Sequence, residues 1–226
     1  EPWNQRAIID QVGFTAATSQ DVWPGHPEKV LGSTAEFVRT CPNTARAMIM
    51  AVLEASRWID ASDANRSRTA HTIAAAAYVD TDFEVIRGRM LGHYEDGLGG
   101  CWIDRRRMSF FGDGAVNFPY LSDGMWFMTQ HKRWGMLAEH PDYLAVVTRV
   151  NQIALYREAA TQLNIPLPAG DLRASTLIDG VVWNGRAPEQ YADGFAIRHR
   201  PKRRSAYLGT FPVRNSAGMA TAAHQR

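Results

Sequence analysis

Five stretches of this 226-residue chain carry helical spacing, while its strand signals are few and short. That imbalance constrains the fold more than any other feature. A few short strands without further partners do not make a stable sheet. The chain must therefore fold around packed helices, or supply only part of an α/β domain. The clearest helix starts at Cys41-Pro42-Asn43-Thr44, where Pro suits a first turn and Asn or Thr can cap it. Ala45, Met48, Ile49, Val52, Leu53 and Ile59 then recur at helical spacing, which predicts a helix to about Ala61. Further helices are predicted over Ala64–Tyr78 and Asp82–Leu91. A fourth is capped by Ser122 or Asp123 and runs through Met125, Trp126, Met128 and Trp134. A fifth opens at Pro141-Asp142, kinks near Asn151 and ends before Ile165-Pro166.

The strand signals lie at the two ends of the chain. Ala7–Val12 and Phe14–Thr18 read as strand-like or extended pieces, and Val30–Val38 as a strand running into a helix. From Ala174 on the chain looks loop-like, with a short hairpin around Leu177–Trp183 turned at Asp179-Gly180. Gly92 to Gly114 reads as irregular. No repeat at a fixed period is present.

Composition narrows the class. At 45% apolar and 21% charged residues the chain is neither wholly disordered nor collagen-like. Its net charge of +2 is unevenly placed. Residues 198–226 carry 7 basic residues and no acidic one, leaving 18 basic against 23 acidic in the first 197. No apolar run approaches the roughly 20 residues of a membrane span. The chain opens with Glu1-Pro2-Trp3-Asn4-Gln5 rather than Met, and so reads like the middle of something. Cys41 and Cys101 allow at most one bridge, and two unpaired, buried thiols are the expected arrangement.

The motifs exclude more than they include. The seven histidines form no HExxH, HxH or His–Cys pair at ligand spacing, so a zinc site is not expected. Asp80, Asp82 and Glu84 alternate like a calcium loop, but Val85 and Leu91 stand where that loop needs Gly and Glu. A solvated helix start is the better reading. GxSxG, P-loop and GxGxxG motifs are missing, and Gly97-Leu98-Gly99-Gly100 reads as a loop. Arg105–Arg107 and Arg198–Arg204 lack an accompanying aromatic ladder, so they read as solvated charge and not as a nucleic-acid surface.

His26-Pro27-Glu28-Lys29 stands apart. Two prolines fix the turn Trp23–Pro27, which then delivers an acid and a base side by side. Lys29 is a point charge with three donors and suits a small anion in a cleft, although an ordinary surface turn would look the same.

Taken together, the segments EPWNQ (1–5), GFTAATSQDVWPGHPEKVLG (13–32), PNTARAMIMAVLEASRWIDA (42–61), AYVDTDFEVIRGRMLGHYEDGLG (77–99), FFGDGAVNFPYLSDGMWFMTQHKRWG (110–135) and DLRASTLIDGVVW (171–183) resemble the solute-binding family of nitrate and bicarbonate ABC importers, its nitrate-binding branch above all. The likeness runs in order from residue 1 to about 197. It implies a periplasmic-binding-protein-like type II α/β fold of two lobes, of which this chain resembles the C-terminal half. It therefore implies two regions, 1–197 belonging to the binding fold and 198–226 forming a basic, flexible tail. It implies capture of nitrate or nitrite between the lobes and delivery to ABC permease and ATPase subunits. It further implies a periplasmic place, with any membrane anchor upstream of this chain, no enzymatic activity and no cofactor. By this resemblance Glu1 borders the anion pocket and Lys29 reaches into it, with Trp3 as a pocket wall and His26 shaping the loop. Nitrate carries no proton to donate, so its partners must be donors or cations, whereas bicarbonate has an O–H for a carboxylate. Lys29 thus favours nitrate or nitrite. A cytoplasmic nitrate sensor or regulatory domain of the same fold is the alternative. Thiamine-pathway enzymes share the fold too, but their His- and Cys-rich segments are not found in this sequence.

Overall fold

A computed structural model describes residues 2–199. Glu1 and the region 200–226, which holds nearly all of the basic tail, lie outside the described residues. Helices dominate: α1 (Trp3–Ile9), α2 (Ser19–Val22), α3 (Ala35–Thr40), α4 (Pro42–Asp60), α5 (Asp63–Ala74), α6 (Phe83–Met90), α7 (Leu121–Arg133), α8 (Tyr143–Val150), α9 (Ile153–Gln162) and α10 (Pro188–Asp193). Two antiparallel hairpins accompany them, β1 (His93–Glu95) with β2 (Cys101–Ile103) and β3 (Ser175–Thr176) with β4 (Val182–Trp183).

Helix α4 forms the spine. Pro42 occupies its first turn, but the cap position belongs to Cys41 and makes no side-chain bond. Asn43 and Thr44 are inside the helix, and Asn43 accepts from Arg46 instead of capping. Ala45 and Leu53 are buried and Ile49 is half-buried, whereas Met48 and Val52 remain exposed, so the buried stripe is narrower than the pattern predicts. Leu53 packs with Phe118, Tyr120, Tyr156, Ala159, Ala160 and Ile165, which joins α4 to α9. A second core gathers Leu121, Met125, Tyr143, Val147 and Trp183 between α7, α8 and the second hairpin. A third sets Ala70 of α5 against Ile86 and Met90 of α6.

Several expectations are corrected. Ala7–Val12 is not a strand: it overlaps α1, whose Gln5 and Ile8, three residues apart, bury one face. Packing against α6 outweighs the β-like composition here. Residues 26–34 form no ladder, and a helix starts only at Ala35, where the Thr34 hydroxyl accepts from the Phe37 N–H. The helix predicted over Ala64–Tyr78 stops at Ala74, and turn bonds such as Val79 N–H to the Ile73 carbonyl take over. The irregular stretch 92–114 hides a hairpin. In its loop the Asp96 carboxylate accepts from the Leu98 and Gly100 N–H groups at 2.7 and 2.8 Å, while Gly97 and Gly99 take positive φ. These bonds hold the Asp96 carboxyl below its usual range. The glycine cluster is therefore a loop, as expected, but one that turns an unexpected hairpin. Helix α10 was not foreseen. Tyr191, in this helix, packs its ring 4.6 Å from that of Trp183. The kink near Asn151 separates α8 from α9, and the Asp179-Gly180 hairpin forms. The two cysteines are unpaired, but Cys41 is only half-buried and Cys101 is exposed, so the burial reading fails.

Candidate functional site

The turn at 23–29 is built from both of its ends. Asp21 closes α2 onto Thr18, accepting at 2.8 Å from its N–H and from its hydroxyl, which lowers the Asp21 pKa. Trp23 follows and is only 4% exposed. Its ring packs 4.7 Å from that of Trp126 and 6.3 Å from that of Phe127, both on α7. Among the described residues its Nε1–H finds no acceptor. Gly25 takes φ +67, and its peptide is held on both sides. The Gln20 side-chain oxygen accepts from its N–H at 2.8 Å, while Gln20 donates onward to the Arg106 carbonyl. Arg173 donates to the Gly25 carbonyl at 3.1 Å.

Arg173 is fixed in turn by Asp123. Its Nε donates to one carboxylate oxygen at 2.9 Å, and a terminal nitrogen lies 2.8 Å from the other. Such a two-point contact orients a guanidinium as a single contact does not. Burial pushes the Asp123 carboxyl up, against the pull of Arg173. Ser122 is also fully buried. Its hydroxyl accepts from the Arg173 N–H, and its carbonyl accepts from Trp183 Nε1–H at 2.8 Å. The two expected caps of α7 thus sit inside the helix and tie down the Arg173 segment. Tyr120 holds the cap position without a side-chain bond.

The candidate ligand residues are unequally placed. His26 lies in the turn, with Nδ1 donating to the Pro27 carbonyl at 2.8 Å and Nε2 at 3.1 Å from Glu28. Lys29 is exposed, and among the described residues no carboxylate pairs with it. Trp3 is 61% exposed on α1. It lines an open depression of about 390 Å³ with Arg6, Asp80, Thr81 and Asp82, and neither His26 nor Lys29 lines that depression. Arg6 is already paired there with Asp82 and also with Asp10, both at 2.8 Å. The structure therefore brings His26 and Glu28 together, leaves Lys29 open beside them, and does not place Trp3 in a common pocket with Lys29. A second, larger groove of about 820 Å³ runs between Met125, Tyr143, Leu172 and Pro188 and contains none of the expected site residues.

Sequence reasoning missed one polar cluster. Arg89 is 8% exposed on α6 and donates to the Gln5 side-chain oxygen at 2.7 Å. Gln5 donates to Glu95, and the Arg89 guanidinium lies 4.6 Å over the Tyr94 ring. The cluster joins α1, α6 and β1, and Arg89 also reaches the Thr15 hydroxyl at 3.5 Å. A signal was available: Val85, Ile86, Arg89 and Met90 form one helical face, and a charge on an apolar face needs partners. Among the described residues no three His, Cys, Asp or Glu side chains gather as a metal site would require. No helix among them is long and apolar enough to cross a membrane.

Residues 1–74 match the NMT1-like family. The nitrate/nitrite binding protein NrtA of Synechocystis sp. is 33% identical over 203 residues, which covers 88% of this chain and 45% of that protein. The bicarbonate-binding protein CmpA of Synechococcus sp. is 29% identical over 217 residues, covering 88% and 46%. The crystal structure of the periplasmic nitrate-binding protein NrtA from Synechocystis PCC 6803 superposes with a TM-score of 0.81 at 32% identity, over 88% of this chain and 52% of that one. Over 88% of its length the chain is similar to nitrate- and bicarbonate-binding solute-binding proteins. It spans about half the length of the curated relatives it matches. The superposition gives these helices and short hairpins the α/β periplasmic-binding-protein fold of that structure.

Proposed function

We propose that residues 1–197 form the anion-facing part of a solute-binding protein that captures nitrate or nitrite for an ABC importer. In this reading the ion is held between two lobes outside the cytoplasmic membrane and is passed to permease and ATPase subunits. The observation that carries the reading is Lys29, an exposed ammonium with no ion-pair partner among the described residues, on a turn whose backbone is clamped by Trp23, Gln20 and Arg173. A cation without a carboxylate partner fits an anion that offers only acceptors. A carboxylate at the same place would fit bicarbonate, which has an O–H to donate. The likeness to binding proteins supports binding without turnover, and it does not favour the regulatory sensor.

Calorimetric titration of the longest natural chain containing these residues tests the proposal. Nitrate is expected to bind more tightly than bicarbonate, and Lys29→Glu to weaken nitrate by about tenfold or more, equivalent to about 1.4 kcal/mol. Equal affinity for the two anions, or an unchanged nitrate affinity in Lys29→Glu, would refute it.

A further inference from the structure

We propose that the exposed side of α4 is a docking face for the apolar surface of a β-sheet, supplied by the part of the α/β fold that lies outside residues 1–226. The face is legible in the helix itself. At about 100° per residue, Ala45, Ile49, Leu53 and Ser56 fall within an arc of about 80°, and this side is buried or half-buried. Ala47, Met48, Ala51, Val52, Ala55 and Trp58 fill the adjoining arc of about 140°, a band about 16 Å long without a charged side chain. All six are exposed, with Met48, Val52 and Trp58 at 43%, 41% and 43%. Arg46, Glu54 and Arg57 share the side that remains.

A helix that packs on one side only carries an apolar stripe of about 100°. The uncharged arc of α4 is more than twice as wide, which is the pattern of a helix covered from two sides. Its chief neighbours among the described residues, α5 and α9, cover only one of them. The fold decides what fits the other. In α/β folds the helices bury a side against a mostly parallel sheet. The superposed NrtA structure has such a fold, and this chain covers 52% of it. The strands among the described residues are at most three residues long, and they pack elsewhere: β1 on α6, and Trp183 of β4 on α7. None of them could cover a helix of 19 residues. Ala47, Ala51 and Ala55 form a row four residues apart with no bulk to hold a flat sheet away, and Met48 and Val52 flank it.

The test uses the longest natural chain containing residues 1–226, made with photo-methionine, a near-isosteric diazirine, and irradiated. Cross-links from Met48, mapped by mass spectrometry, are expected on polypeptide outside residues 1–226, in a segment with the period-two apolar pattern of a strand. Cross-links from Met48 that stay within residues 1–226, the basic tail included, overturn the proposal. So do cross-links between isotopically light and heavy copies, which would make a second copy the occupant. Maleimide labelling reads the coverage directly. In a C41S/C101S background, A51C is expected to react with N-ethylmaleimide at least about tenfold more slowly than E54C in the native state, and equally fast in urea. Equal native rates overturn the proposal. Neither readout involves an anion, so failure of the nitrate reading would leave this inference standing.

Discussion

Replacing Trp23 by alanine should destabilise the protein by about 3–5 kcal/mol, the usual range for deleting a buried aromatic side chain. The ring is 4% exposed and packs against Trp126 and Phe127 of α7. For a domain of this size each kcal/mol moves the melting temperature by roughly 2–4 °C, so the midpoint should fall by roughly 6–20 °C. Trp23→Phe should behave differently. It keeps an aromatic ring against Trp126 and removes an Nε1–H that has no acceptor. An unsatisfied buried donor costs about 1–3 kcal/mol, which offsets part of the volume lost, so Phe should cost less than half of what Ala does. Thermal and urea unfolding followed by circular dichroism would measure both variants. A shift below roughly 2 °C for Trp23→Ala, or Phe as damaging as Ala, would show that the turn is not anchored by this ring.

Three further outcomes follow from the same contacts. Arg173→Met leaves Asp123 buried without its cation and frees the Gly25 carbonyl, so urea unfolding should show a loss of about 2–3 kcal/mol. Asp123 titrates above its unfolded range, so the native state holds its proton the more tightly; that contribution is complete below about pH 3.9 and is lost as pH rises through the raised folded value. The stability difference between wild type and Asp123→Asn should therefore change over that acid window, and a flat difference would contradict the assignment. Gly124→Ala would place a Cβ 2.8 Å from Val147 Cγ1 where α7 crosses α8, and should cost about 1–3 kcal/mol by thermal melting.

Much of the helical content was legible because its causes are local. Pro42 at a first turn, Ser62 accepting from Asn65 and the apolar spacing of α4 all act within one or two turns of chain. The Lys29 turn was legible for a similar reason, since two prolines and a glycine leave the backbone few options. Helix α1 and the first hairpin were not. α1 forms because Gln5 and Ile8 meet partners more than eighty residues later in the chain, and composition alone suggested an extended piece. The hairpin loop was mistaken for irregular chain because three residues per strand is too short a run for a period-two pattern to show.

The sequence by itself determined which stretches become the main helices, where the chain turns sharply, and that a lone lysine stands in one such turn. Only the tertiary structure decided what holds that turn in place. Arg173 reaches the Gly25 carbonyl across 148 residues, and Ser122 and Asp123 give up the capping role their residue types suggest in order to fix it. Spacing rules end at about one helical turn, whereas a buried charge finds its partner only when the packing of α7 brings it within reach.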